Sequence, residues 1–228
     1  MNSVLKQEYR NYQHYLIDDM STDNTNSTIK KYSEKYKRVN LVTNTEKKYA
    51  LKNIYDNLEN LDLNDSDIIV VLDGDDWLAS AKVLTRLNEI YNEEDCWMTY
   101  GSYVVYPTNI RGKFSKKIPT STVQQGSYRK NQWMSSHLRT FRYGLWKKIK
   151  KEDLINENTG KFIKAASDLA FVFPMLEMCA TKALYVEDIL YVYNRQNPLN
   201  EDKVDHNIQL GEERYIRSKA KYKKVNKL

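Results

Sequence analysis

Short apolar runs and amphipathic stretches alternate along the first half of the chain. Ile69, Val70, Val71 and Leu72 stand together with no polar residue between them. Such a β-branched run predicts a strand buried on both faces. Tyr15 to Ile17 and Val39 to Val42 predict two more strands. Ser21 to Thr25 offers turn and N-cap residues for a helix through Tyr36. From Tyr49 to Leu61 the apolar positions 50, 51, 54, 58 and 61 form one helical stripe. Asn2 to Tyr12 and Ser80 to Tyr91 read as further helices. Strand and helix in alternation predict an α/β fold, a mainly parallel sheet flanked by crossover helices.

Beyond residue 95 the pattern changes. Trp97 to Tyr106 is aromatic and β-branched and predicts a strand. Residues 107–132 are polar, with Pro107, Gly112, Pro119 and Gly126. They predict a long loop or flap, and loops of that length often carry function. Leu138 to Ile149 predicts a helix with Arg139, Arg142, Lys147 and Lys148 on exposed faces. Leu169 to Thr181 predicts a helix kinked at Pro174, and Ala183 to Val192 two short strands.

Composition narrows the class. A chain of 228 residues can bury one sizeable core, and 41% hydrophobic with 29% charged residues is ordinary for a globular protein. No run approaches the roughly 20 apolar residues of a membrane span, and no N-terminal signal is visible. Cys96 and Cys179 lack metal or redox spacing, so reduced thiols and a cytoplasmic setting are expected. Seven basic and no acidic residues lie between Arg214 and Lys227, so a net charge of +6 leaves the remainder at about −1. A basic tail on a near-neutral body follows.

The chemistry sits at strand ends. The 69–72 run stops at Asp73-Gly74-Asp75-Asp76, three carboxylates around one glycine. Carboxylates this close repel one another unless a divalent cation or strong donors absorb the charge. An acidic turn is the plainer alternative. Asp18-Asp19 ends another strand, and open α/β sheets bind ligands at the carboxyl ends of their strands.

Two motifs in order carry a resemblance. Tyr15-Leu-Ile-Asp-Asp-Met-Ser-Thr-Asp-Asn-Thr25 resembles the I-D-D-x-S-x-D-x-T segment of family 2 glycosyltransferases with the GT-A fold. Leu72-Asp73-Gly74-Asp75-Asp76 is similar to their D-x-D motif, and Ala166-Ser167-Asp168 to their later acidic motif. The resemblance covers roughly residues 1–195. It implies an inverting transferase that moves one sugar from a UDP- or GDP-type donor to a glycan, lipid-linked or protein acceptor, with Mn²⁺ or Mg²⁺ as cofactor. In that reading Asp18 or Asp19 accepts a hydrogen bond from the nucleobase or ribose, Asp73 meets the ribose, and Asp75 holds the metal. Asp168 is then the general base, although an Asp before a helix is also an ordinary N-cap. Residues 1–95 would form the nucleotide-sugar half, 96–200 the acceptor half, and 201–228 a basic helix or tail.

Ser136 to Arg142 follows the expected flap on the acceptor side. His137 is placed to reach a phosphate or the metal, and Arg139 and Arg142 to bind phosphates through planar forks. A helix cap with a solvated basic face is the alternative. Departures from the family matter too. Its apolar first strand is absent before Asn2, so a truncated form with an unpaired central edge is expected. Lys47 stands where the family often has Gly, and the Gln-x-x-Arg-Trp motif of processive synthases is missing. The competing function is a non-catalytic module that binds anionic partners through the basic tail. A peripheral contact with anionic membrane fits that tail, and no nucleic-acid motif is present.

Overall fold

The computed structural model describes residues 1–198 and 206–228. It opens with one turn of helix, α1 (Asn2–Leu5), in place of a helix to Tyr12. Gln7 ends that helix. Its buried amide donates to the carbonyls of Ser3 and Ser80 at 3.0 and 2.6 Å and accepts from the Leu84 N–H at 2.9 Å. Two of these bonds pin the chain to the 80–84 segment, and the third ties Gln7 back to α1.

The next elements follow the predicted order: β1 (His14–Asp18), α2 (Thr25–Lys35), β2 (Val39–Thr43), α3 (Tyr49–Asn60) and β3 (Ile68–Val71). After β4 (Trp77–Leu78), α4 (Val83–Glu93) leads into the long β5 (Met98–Tyr106) and short β6 (Ile110–Arg111). The 107–132 segment is not an open flap. It holds α5 (Thr120–Gln125), and Ile118 and Tyr128 are buried in the core. Leu138 to Ile149 is not one helix either: β7 (Arg139–Arg142) precedes the single turn α6 (Tyr143–Trp146). β8 (Ile155–Asn156) and β9 (Lys161–Phe162) form a minor hairpin before α7 (Ser167–Cys179). One bulged strand, β10 (Ala183–Asn194), replaces the two short strands, and α8 (His206–Ser218) follows. The expected 200/201 boundary lies outside the described residues.

β1 and β2 pair in parallel as a sheet of their own. The larger sheet runs β3-β7-β5-β10-β4, with β6 beside β5. There β5 and β10 are parallel, while β7 runs antiparallel to both β3 and β5. The sheet is therefore mixed rather than mainly parallel, because β7 returns from the far loop and wedges between its neighbours. All four residues of β3 are half-buried, not buried on both faces. β3 is an outer strand of the larger sheet, and β1 does not pair with it.

Two apolar layers hold the sheet. On one face Leu51, Phe141, Trp146 and Phe171 join α3, β7, α6 and α7. On the other, Leu87 and Ile90 of α4 meet Tyr103, Val186 and Tyr191. α7 is buried from Leu169 through Cys179, with Pro174 inside it. A helix apolar all round has to be covered this way. Burial of each large side chain contributes about 1.5–3 kcal/mol. Among the described residues no helix is long and apolar enough to cross a membrane.

Candidate active site

Three elements converge on one guanidinium. Asp73 follows β3, Arg139 opens β7, and Asp168 lies in the first turn of α7. Arg139 Nη1 donates to Asp168 Oδ2 at 2.6 Å, and Nη2 lies 3.1 Å from His137 Nδ1 and 3.6 Å from Asp73 Oδ2. Its side chain is 5% exposed, and its Nε is buried with no partner among the described residues. The flanking carboxylates outweigh the burial that opposes its charge and hold its pKa above the ordinary value. Residue parity explains the placement. Arg139 shares the α7 face with Phe141, whereas Arg142 points the other way. Arg142 accordingly does not join the site: its guanidinium donates to the carbonyls of Cys96, Ser66 and Tyr91 at 3.1, 3.2 and 2.8 Å. It closes the far end of the strand and has no fork left for a phosphate.

His137 stacks on Tyr191 with centroids 4.4 Å apart and planes 9° apart, and on Tyr193 at 5.6 Å and 14°. Burial, helped by the charge of Arg139, holds its pKa well below the ordinary value, so the imidazole is neutral. Asp76 is buried. The Tyr191 hydroxyl donates to its Oδ2 at 2.5 Å and stands 3.3 Å from Asp73 Oδ2, while the Asn194 N–H donates to Asp76 Oδ1 at 2.7 Å. Burial pushes the Asp76 carboxyl up to about 7 against those two bonds.

Asp73, Asp76 and His137 each offer a ligand atom, and these atoms lie within 4.8 Å of one another. Two hard oxygens and a neutral imidazole suit Mn²⁺ or Mg²⁺ completed by water and phosphate oxygens. Asp75, the residue expected to hold the metal, stands outside that group. Its Oδ2 accepts from Asn197 Nδ2 at 2.6 Å.

Asp18 and Asp19 end β1 on the smaller sheet, and both spend oxygens internally. Asp18 is buried and accepts from the Ser21 N–H at 2.9 Å and Asn26 Nδ2 at 2.8 Å. The Ser21 bond leads in holding its pKa low. Asp19 accepts from Asn44 Nδ2 and from the N–H groups of Lys48 and Tyr49, at 2.7, 2.8 and 2.9 Å. It thereby fixes the start of α3 to the end of β1. Burial pushes the Asp19 carboxyl up, but these donors together bring its pKa below the ordinary value. Left-handed backbone marks the same places. Met20 (φ 64°) follows the pair, Tyr49 (φ 63°) donates to it, and Ala166 (φ 50°) sits two residues before Asp168. A side chain held at such a φ costs of order 1–3 kcal/mol, and functional sites collect this strain.

Sequence reasoning gave no role to Asp76 and missed Tyr191, Tyr193 and Asn194. The alternation in Tyr191-Val192-Tyr193 was the available signal, since it puts both rings on one face of a strand.

Residues 1–163 match the family described as Glycosyl transferase family 2, and the chain belongs to that family. An uncharacterized glycosyltransferase of Haemophilus influenzae is 33% identical over 133 residues, covering 55% of this chain and 50% of its own. Crystal structures of S. aureus TarS share the GT-A fold. One superposes with a TM-score of 0.62 at 17% identity, covering 91% of this chain and 35% of TarS. TarS in complex with UDP-GlcNAc gives 0.61 at 16% identity, covering 86% and 54%. GalNAc-T7 with UDP, GalNAc and Mn²⁺ gives 0.53 at 15% identity, covering 84% and 40%. The chain thus spans about half the length of the curated relative and of TarS with UDP-GlcNAc.

Proposed function

We propose that this protein transfers one sugar from a UDP- or GDP-linked donor to the hydroxyl of a glycan, lipid-linked or protein acceptor, with inversion at the anomeric carbon. The observation that carries the reading is the meeting of Asp73, Arg139 and Asp168 within ion-pair distance at the ends of β3, β7 and α7. Family membership supports it. So do the nucleotides held by solved proteins of the same fold, UDP-GlcNAc in TarS and UDP in GalNAc-T7. A cytosolic setting fits the two buried free thiols.

Each residue then has a task. Asp18 and Asp19 shape the loop that faces the nucleoside. Arg139 sets a permanent positive charge beside the diphosphate, and the neutral His137 is held in place by the tyrosines it stacks on. Asp73, Asp76 and His137 would hold Mn²⁺ or Mg²⁺, with Asp75 beside them. The ion, when bound, neutralises charge on the departing diphosphate. Asp168 takes the proton from the acceptor hydroxyl as that oxygen bonds to the anomeric carbon and the phosphate oxygen leaves with the electron pair. Its Oδ2 is engaged by Arg139 and its Oδ1 makes no bond among the described residues.

A donor panel with and without Mn²⁺, read by nucleotide binding and nucleoside diphosphate release, tests this. Asp168→Asn should cut turnover by about 10²–10⁴-fold and leave donor binding intact. His137→Ala should weaken Mn²⁺-dependent binding more than metal-free binding. Donor binding without transfer, unchanged by Asp168→Asn, would leave the protein a binding module.

A further inference from the structure

The basic tail is not a loose charged end. Residues 219–228 leave α8 and run along the body in extended form. Glu177, a buried carboxylate on α7, accepts from the Tyr222 N–H at 3.0 Å. The Tyr222 hydroxyl donates to Asp153 Oδ2 at 2.6 Å and accepts from the Lys150 N–H at 2.9 Å. The Val225 N–H reaches the Met178 carbonyl at 3.0 Å. Tyr222, Val225 and Leu228 pack against the core, spaced by three.

That spacing turns the lysines between them outward. Lys221, Lys223, Lys224 and Lys227 are exposed, and none pairs with a carboxylate among the described residues. The bond from the Lys150 N–H to Tyr222 brings a second basic segment alongside, where Lys148, Lys150 and Lys151 also lack acidic partners. Nearby Asp153 is met by Lys219, and Asp65 by Lys147. Glu152 and Glu59, both acting on the Tyr55 ring that Lys151 covers, are the exposed acids left. The ribbon packs through its apolar side, and of its charges only Lys221, at the Gln125 carbonyl, and Lys151, over the Tyr55 ring, touch the body.

We infer that the lysine ribbon of residues 221–227, with Lys148, Lys150 and Lys151 beside it, is a docking surface for an anionic lipid bilayer. Seven lysines on a backbone anchored before contact outnumber the exposed acids beside them and suit an extended negative surface. All seven are lysines, compact point charges that respond to a diffuse field, rather than arginine forks that seek single phosphates. No exposed aromatic ring stands between them to stack a nucleobase. The ribbon lies at the Glu177 end of α7, and Asp168 about 14 Å away along the helix at the other end. Docking there would leave the donor pocket unblocked.

Co-sedimentation of the full chain with vesicles tests the surface. Binding to vesicles of 30% phosphatidylserine in phosphatidylcholine should exceed binding to pure phosphatidylcholine by at least about tenfold, and should fall steeply between 50 and 300 mM salt. The variant with Lys221, Lys223, Lys224 and Lys227 all changed to Gln should lose that binding while keeping its thermal midpoint. The variant with Lys30, Lys31 and Lys37 changed to Gln, a comparable charge loss elsewhere, should retain it. Equal loss in both variants would reduce the effect to net charge and overturn the inference. So would equal binding to the two vesicle types, or preferential binding to a single-stranded oligonucleotide that vesicles fail to displace.

Discussion

Arg139 brings a permanent charge into a pocket otherwise made of carboxylates. Asp76, which the guanidinium does not touch, keeps its proton instead. Its carboxyl titrates at about 7 in the folded chain against an ordinary 3.8. A raised folded value means a contribution fully present below pH 4 and lost as pH rises to 7. In metal-free protein the thermal midpoint should therefore fall across that window. Asp76→Asn should remove part of the fall, by a few degrees for a chain of this size. Melts at pH 4.5, 6 and 7.5 would show it, and identical slopes for the two proteins would refute the assignment. Asp73 was legible because a strand-ending Asp cluster is a local signal. Arg139 was read on an exposed helix face rather than buried on a strand because its partners, Asp73 and Asp168, stand 66 residues before and 29 after it. Nothing within a helical window announces an ion pair of that span.

Elements repeat that lesson. β1, α2, β2 and α3 were readable from runs, caps and a stripe, all set by neighbours in sequence. β7 was read as helix because Arg-Thr-Phe-Arg, four positions long, carries little period. What makes it a strand is the pair of edges on either side, β3 and β5. The tail was readable as charge but not as structure, since its anchor is buried in α7. There Arg129 Nε donates to Glu177 Oε1 at 2.7 Å and Nη2 to Oε2 at 3.0 Å, and Arg129 Nη1 reaches the Ile216 carbonyl. Removing one partner strands a buried charge, at about 3–5 kcal/mol. Glu177→Ala should lose about that much in urea unfolding and expose the 219–228 segment to protease. Arg129→Leu combined with Glu177→Leu should recover part of the loss. A cost under about 1 kcal/mol for Glu177→Ala would mean that the pair does not anchor the tail.

At the scale of the whole molecule the sheet is in two pieces. Asp18 and Asp19 ride on the β1–β2 pair, Asp73 and Arg139 on the larger sheet, and among the described residues no backbone ladder joins the two. That split predicts that the two walls of the proposed donor pocket move against each other. Amides of β1 and β2 should exchange with deuterium at least about tenfold faster than those at Met98 and Thr99 of β5 and at Tyr191 and Val192 of β10, which have partner strands on both sides. A nucleoside diphosphate that touches both walls should slow the β1–β2 exchange far more than it slows the centre of the larger sheet. Equal protection in the empty protein would show the two sheets moving as one. Under the split arrangement the ligand itself acts as the missing crosslink, and part of its binding energy goes into stiffening the protein that holds it.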